Sequence, residues 1–113
     1  MVLDRQGGPN WFKNWCVAPV IVDDKNDEVY FTPLYYVMSH FSKFMRPGAV
    51  KIGCEINNKD LKATAVQNPD NSIALVIFNP TEQSHSIEIT VNNNKSEISI
   101  PAKALQTVVI SDK

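Results

Sequence analysis

Glycine is scarce in this chain, four in 113 residues, and no GxGxxG or Walker phosphate loop is present, which excludes the common nucleotide-binding loops. The GxSxG and HExxH patterns are absent as well, and with them the usual serine-hydrolase and zinc-protease signatures. There are two cysteines, Cys16 and Cys54, too few for a disulfide framework and without the CxxC spacing of a zinc or redox site. They read as buried free thiols, with a single bridge between them as the lesser alternative. No sign of charge dominates: 11 basic residues face 12 acidic ones, so the totals give no footprint for nucleic acid. The apolar runs are short. The longest, Ile73 to Phe78, is far below the about 20 residues of a membrane-spanning helix. The first residues, Met1 to Gly8, contain no basic stretch followed by an apolar core, so they do not read as a signal peptide.

Aromatic residues are almost missing from the second half. Nine of the ten lie at or before Phe44, and only Phe78 lies beyond. The chain therefore has two unlike parts, joined near Pro47-Gly48, where a helical pattern gives way to alternating ones. A chain of 113 residues suits one small domain and cannot hold a complete α/β barrel, which takes about 250.

In the first part, Gly7-Gly8-Pro9-Asn10 reads as a tight ordered loop, followed by the aromatic run Trp11-Phe12-Lys13-Asn14-Trp15. Val17 to Val22 is β-branched and short, with Pro19 confining it to an edge or an irregular extended stretch. Asp23 to Glu28 is polar; it lacks the ligand spacing and central glycine of an EF-hand and reads as a solvated loop. A helix is predicted over 33–46. Thr32 is placed to cap it, Pro33 suits its first turn, and Leu34, Val37, Met38, Phe41, Phe44 and Met45 recur at three- and four-residue steps. Lys43 and Arg46 fall in its last turn, and Pro47-Gly48 ends it. His40 has no Cys, Asp or second His at helical spacing and reads as a structural histidine.

After Gly48 six short strands follow at intervals of about ten residues. Val50, Ile52 and Cys54 alternate, as do Leu61, Ala63 and Ala65, then Ile87, Ile89 and Val91, continued by Ile98 and Ile100; Leu105 to Ile110 closes the set. Ile73 to Phe78 is apolar on both faces, as a central strand would be. The asparagine-rich segments at 57–60, 68–71, 79–82 and 92–95 supply the turns. The fold class is mainly β: an antiparallel β-sandwich of about six strands, preceded by an aromatic loop and one amphipathic α-helix.

The residues offer little chemistry. Ser84-His85 is adjacent in a turn, the wrong relation for a nucleophile and its base. Glycoside hydrolysis needs two carboxyl groups across a pocket, and every Asp and Glu lies in a turn, at an exposed alternating position or near an end, so no catalytic residue is assigned. No metal ligand or cofactor is expected. The aromatic loop is the one candidate binding feature, because sugar rings stack on Trp and asparagine pairs with hydroxyls, which would suit Trp11, Asn14 and Trp15; core or interface packing of the tryptophans is the competing reading.

The ordered motifs Gly7-Gly8-Pro9-Asn10-Trp11, Asn14, Ala18-Pro19-Val20-Ile21-Val22-Asp23, Tyr35-Tyr36, His40-Phe41-Ser42-Lys43-Phe44 and Pro47-Gly48 resemble the C-terminal part of glycoside hydrolase family 30, which includes acid glucosylceramidases and microbial β-1,6-glucanases. The resemblance implies a (β/α)8 catalytic barrel joined to a β-sandwich side domain, and retention of configuration by two glutamates on barrel strands four and seven. On this reading residues 1–48 are the terminal loop and last helix of the barrel, and 49–113 are the C-terminal β-sandwich domain. Both catalytic glutamates would lie upstream, in a missing N-terminal barrel portion. By position Asn14 matches a substrate-binding asparagine of the glucose pocket, whereas Trp11 matches a loop-packing tryptophan. Lys13 and Trp15 stand where arginine and phenylalanine are common, and Cys16 and Val17 replace residues that glucosylceramidases often have as Val and Asp. The implied partner is carbohydrate, a β-glucoside or β-glucan, in the context of the full enzyme, with neither nucleic acid nor a transmembrane segment, and a secreted or lysosome-like setting is expected. The alternative is a stand-alone β-sandwich carbohydrate-binding or accessory module without catalysis.

Overall fold

The structure, a computed structural model, describes residues 1–9 and 16–111. They form nine strands and one helix: β1 (Val2–Asp4), β2 (Val20–Asp23), β3 (Glu28–Phe31), α1 (Pro33–Ser42), β4 (Val50–Ile52), β5 (Lys62–Gln67), β6 (Ile73–Asn79), β7 (His85–Val91), β8 (Asn94–Ile100) and β9 (Ala104–Ile110). The chain divides into two compact units, Met1–Ser42 and Lys43–Lys113.

In the first unit β1 pairs in parallel with β2, which pairs antiparallel with β3. Pro19, which has no N–H to give a ladder, stands immediately before β2, so the strand starts where the proline ends. The stretch 23–28, expected as a solvated loop, is the β2–β3 hairpin, with Asp23 opposite Glu28. Asp27 turns it at φ 54°, a left-handed conformation that aspartate tolerates. Asp24 to Asp27 are exposed as expected, but Asp23 is fully buried, because its carboxylate collects the turn's free donors. β1 and β3 have no periodicity in the sequence that announces them.

The helix α1 ends at Ser42, four residues before the expected Arg46. The apolar periodicity does run on, but the backbone groups beyond Ser42 are claimed from afar. Asn68 donates its Nδ2 to the Phe44 carbonyl at 2.9 Å and accepts the Arg46 N–H on Oδ1 at 2.9 Å. Arg46 also precedes proline, which disfavours helical backbone, and its carbonyl accepts the Ala49 N–H at 2.9 Å around Pro47 and Gly48, the latter at φ 87°. Nor does the Thr32 side chain cap the helix. Its hydroxyl lies within hydrogen-bond distance of the Ala18 and Pro19 carbonyls, while the Thr32 carbonyl accepts the Tyr35 N–H.

The second unit contains all six expected strands. β4, β5, β6 and β9 form an antiparallel sheet in that order, and β7 and β8 form a hairpin. Leu75 and Ile77 of β6 and Ala65 of β5 share a core with Leu61 and with Ile100 of β8, and Ile87, Ile89, Ile98 and Val108 pack against it. The sheet and the hairpin are thus the two layers of a β-sandwich. β6 is central and buried on both faces, since Ala74 and Val76 on the side away from Leu75 and Ile77 are also closed to solvent. Phe78, in the strand that reads as most buried, is 40% exposed, because it is the last outward-alternating residue, paired with Lys62 and Leu105 at the sheet's end. β7 and β8 join through Asn92 and Asn93 at φ 48° and 65°, the two-residue mirror-image turn that suits the twist of a hairpin.

Both cysteines are exposed, not buried. β4 stops at Ile52, so Cys54 lies past the strand whose alternation suggested its burial.

Candidate functional site

The loop that follows β1 is organised by one carboxylate. Asp4 Oδ1 accepts the N–H groups of Gln6 at 2.9 Å and Gly8 at 2.8 Å. The Asp4 backbone closes the same loop, donating to the Gly8 carbonyl at 2.8 Å and accepting from Gly7 at 3.1 Å. With Gly7 at φ 79° and these bonds closing on Asp4, the glycine run is the tight ordered loop its composition suggested, as far as Pro9. Asn14, Trp11 and Trp15, the candidate sugar contacts, lie outside the described residues.

The segment that leads into β2 is clamped to the start of α1. Thr32 Oγ1 lies 2.9 Å from the Ala18 carbonyl and 3.1 Å from that of Pro19, which also accepts the Thr32 N–H at 3.0 Å. The parallel register sets Asp4 beside Val22, so the strands before and after the aromatic run belong to one small sheet. Asp23 ends the central strand. Its carboxylate accepts Asn26 Nδ2 at 2.8 Å, the Lys25 N–H at 3.2 Å and an Arg5 guanidinium N–H at 3.0 Å. The Asn26 side-chain bond, aided by the backbone donors and Arg5 and opposed by desolvation, holds the Asp23 carboxyl below its usual 3.8. On β3 the Tyr30 hydroxyl donates to Glu28, which pushes the phenol above its usual 10.0. The Phe31 and Tyr35 rings meet at a tilt of 48° with centroids 4.6 Å apart, and Tyr35 meets Tyr36 edge-on at 5.4 Å.

Composition and motif spacing do not single out Asp4, Arg5 and Asp23, which shape these turns. The signal was local: an aspartate two to four residues before backbone N–H groups in a glycine- or asparagine-rich turn folds its side chain onto them.

The lowered carboxyls have a measurable consequence. Asp70 is also held below 3.8, first by the Ser72 hydroxyl and then by the Ser72 N–H. A carboxyl whose folded-state pKa is depressed stabilises the fold fully above its unfolded pKa and loses that contribution as pH falls through the folded value. Melting temperature is therefore expected to be flat above about pH 5 and to fall below it, more steeply in the native chain than in Asp23→Asn with Asp70→Asn, whose curve is flatter.

Other chemistry is sparse. His85, read as lying in a turn, opens β7; its Nε2 is 3.0 Å from Thr81 Oγ1 and its Nδ1 is 3.4 Å from Asn58 Nδ2, so its contacts are those of a structural side chain. Glu88 and Glu97 face each other across the β7–β8 ladder on an exposed surface, but Glu88 is paired with Lys95 and Glu97 accepts from Ser86. Among the described residues no three His, Cys, Asp or Glu side chains gather to hold a metal. No described helix is long and apolar enough to cross a membrane.

Comparison with known proteins accounts for both parts of the chain. Residues 1–45 match the glycosyl hydrolase family 30 TIM-barrel domain and residues 48–108 the family 30 β-sandwich domain. Among curated proteins, putative glucosylceramidase 1 of Caenorhabditis elegans is 32% identical over 97% of this chain. The lysosomal acid glucosylceramidase of Mus musculus is 33% identical over 82% of it. The chain covers only 23% and 18% of those two proteins, respectively. Among solved structures, SrfJ from Salmonella typhimurium superimposes with a TM-score of 0.92 at 26% identity, over 99% of this chain and 25% of that one. An endo-β-1,6-glucanase superimposes with a TM-score of 0.83 at 25% identity, over 94% of this chain and 24% of that one. With the β-sandwich match spanning more than half its length, the chain belongs to glycoside hydrolase family 30.

Proposed function

We propose that this chain is the C-terminal portion of a retaining β-glycosidase acting on β-glucosides or β-glucans. Residues 1–48 supply the last strand, terminal loop and last helix of its barrel, and residues 49–113 supply its side domain. The observation that carries this reading is the order of the two family matches along the chain, barrel domain before sandwich domain. The helix supports it. α1 has no buried residue, and Val37, Met38 and Phe41 leave an apolar face that suits packing against the rest of a barrel. Asn14 contributes to the rim of the sugar pocket, and carbohydrate binds in the context of the complete enzyme. The chemistry belongs elsewhere. Retaining hydrolysis uses two carboxyl groups about 5–5.5 Å apart, one as acid and one as nucleophile, and this portion contributes neither.

The pure 113-residue chain is accordingly expected to release no chromophore from an aryl β-glucoside above the buffer rate. Turnover that co-purifies with the chain and falls on Asn14→Ala would place a complete active site within it and overturn the proposal.

A further inference from the structure

We propose that Asn94 is an acceptor for an N-linked glycan. The segment Asn94-Lys95-Ser96 places a hydroxyl residue two positions after asparagine, with no proline between them. Of the eleven asparagines it is the only one that meets both conditions. Asn71 is followed by Ser72 one position too early. Asn79-Pro80-Thr81 has the frame but carries the excluding proline, and Asn79 is fully buried with its amide committed to the Gln83 and Pro101 carbonyls.

The structure puts the permitted asparagine where a glycan can stand. Asn94 is the first residue of β8, directly after the Asn92-Asn93 turn, and Asn94, Lys95 and Ser96 are all exposed. Neither the Asn94 carboxamide nor the Ser96 hydroxyl makes a hydrogen bond among the described residues, whereas Lys95 is held by Glu88 at 2.9 Å. By the two-residue period Asn94 and Ser96 share a strand face with Ile98 and Ile100. The row reaches the core at Ile98, which packs against it, and at buried Ile100, whereas Asn94 at the turn end stays exposed, so a bulky group on Asn94 displaces no buried side chain.

The step uses a lipid-diphosphate-linked oligosaccharide as donor. Asn94 Nδ2 forms a bond to the anomeric carbon of the donor's first sugar, and the bond from that carbon to the diphosphate oxygen breaks. The lipid diphosphate leaves with the electron pair, and the amide releases one proton to the transferring enzyme's base.

The test is translation of the full chain, behind a cleavable secretion leader, in the presence of endoplasmic-reticulum microsomes. The expected product is one species heavier by a single glycan, returned to the bare mass by peptide amidase digestion that leaves aspartate at position 94. Asn94→Gln and Ser96→Ala should each abolish the shift, and Ser96→Thr should keep it. An unshifted native chain, under conditions where the same chain carrying an added acceptor tripeptide at its C-terminus is shifted, overturns the proposal. So does a shift that survives Asn94→Gln.

Discussion

Replacing Ile77 with alanine is expected to lower the unfolding free energy by about 3–4 kcal/mol, read from the denaturant midpoint at unchanged slope. Ile77 is 2% exposed at the centre of β6, between Ala63 of β5 and Gln106 of β9, and it belongs to the core that closes the sheet onto the β7–β8 hairpin. Removing its outer carbons forfeits their transfer from water and leaves a cavity that flanking strands, fixed by their ladders, cannot collapse to fill. A small domain is stable by only about 5–15 kcal/mol, so this single change would consume a large share of the total. Ile77→Val, which removes one carbon, should cost about 1 kcal/mol. A cost for Ile77→Ala near that of an exposed site, under about 0.5 kcal/mol, would mean that the sheet and hairpin do not share this core.

Asn79→Ala is expected to cost about 3 kcal/mol although it deletes only a small polar group. Asn79 is fully buried at the end of β6. Its Nδ2 donates to the Gln83 and Pro101 carbonyls, both at 2.7 Å, and its Oδ1 accepts the Thr81 N–H at 3.0 Å and the Thr81 hydroxyl at 2.7 Å. One side chain thus ties the β6–β7 connection to the segment between β8 and β9. Alanine takes the donor from the Pro101 carbonyl and the acceptor from the Thr81 N–H and leaves the Gln83 carbonyl only the Thr81 hydroxyl at 3.1 Å, and each part-buried partner left unmade costs about 1–3 kcal/mol. Asn79→Asp should be at least as damaging, because it sets a carboxylate against two carbonyl oxygens. Thermal melts of the two variants check this; an Asp variant as stable as the native chain would contradict the assigned donor roles.

The sandwich was legible in the sequence because its strands obey local rules. The alternation in β7 and β8, the apolar run of β6 and the paired asparagines at 92–93 each carry their own signal within a few residues. The first unit was not so legible. β1 and β3 are three and four residues long, too short for a period to register, and β1 is defined by a partner that follows sixteen residues or more later in the chain. The early end of α1 is likewise set from a distance, by Asn68, while Phe44 and Met45 keep the helical spacing. Cys16 and Cys54 were misread by the average habit of cysteine, which is to be buried. For the candidate site, composition points to the aromatic run, which lies outside the described residues, while the side chains that shape the segments on either side of it, Asp4, Thr32 and Asp23, act through backbone bonds that residue type alone does not reveal.

The proposal's central claim is that residues 49–113 form a side domain with a core of its own, whereas residues 1–48 are the last part of a barrel, whose helix α1 leaves Val37, Met38 and Phe41 exposed. Native-state hydrogen exchange on the pure chain tests it most directly, because local protection reports the free energy of each unit separately. The account predicts that the amides of β5, β6 and β9 exchange only with global unfolding, while those of α1 exchange orders of magnitude faster. Protection of α1 equal to that of β6 would show that the helix is already packed in a cooperative whole, and would contradict the claim.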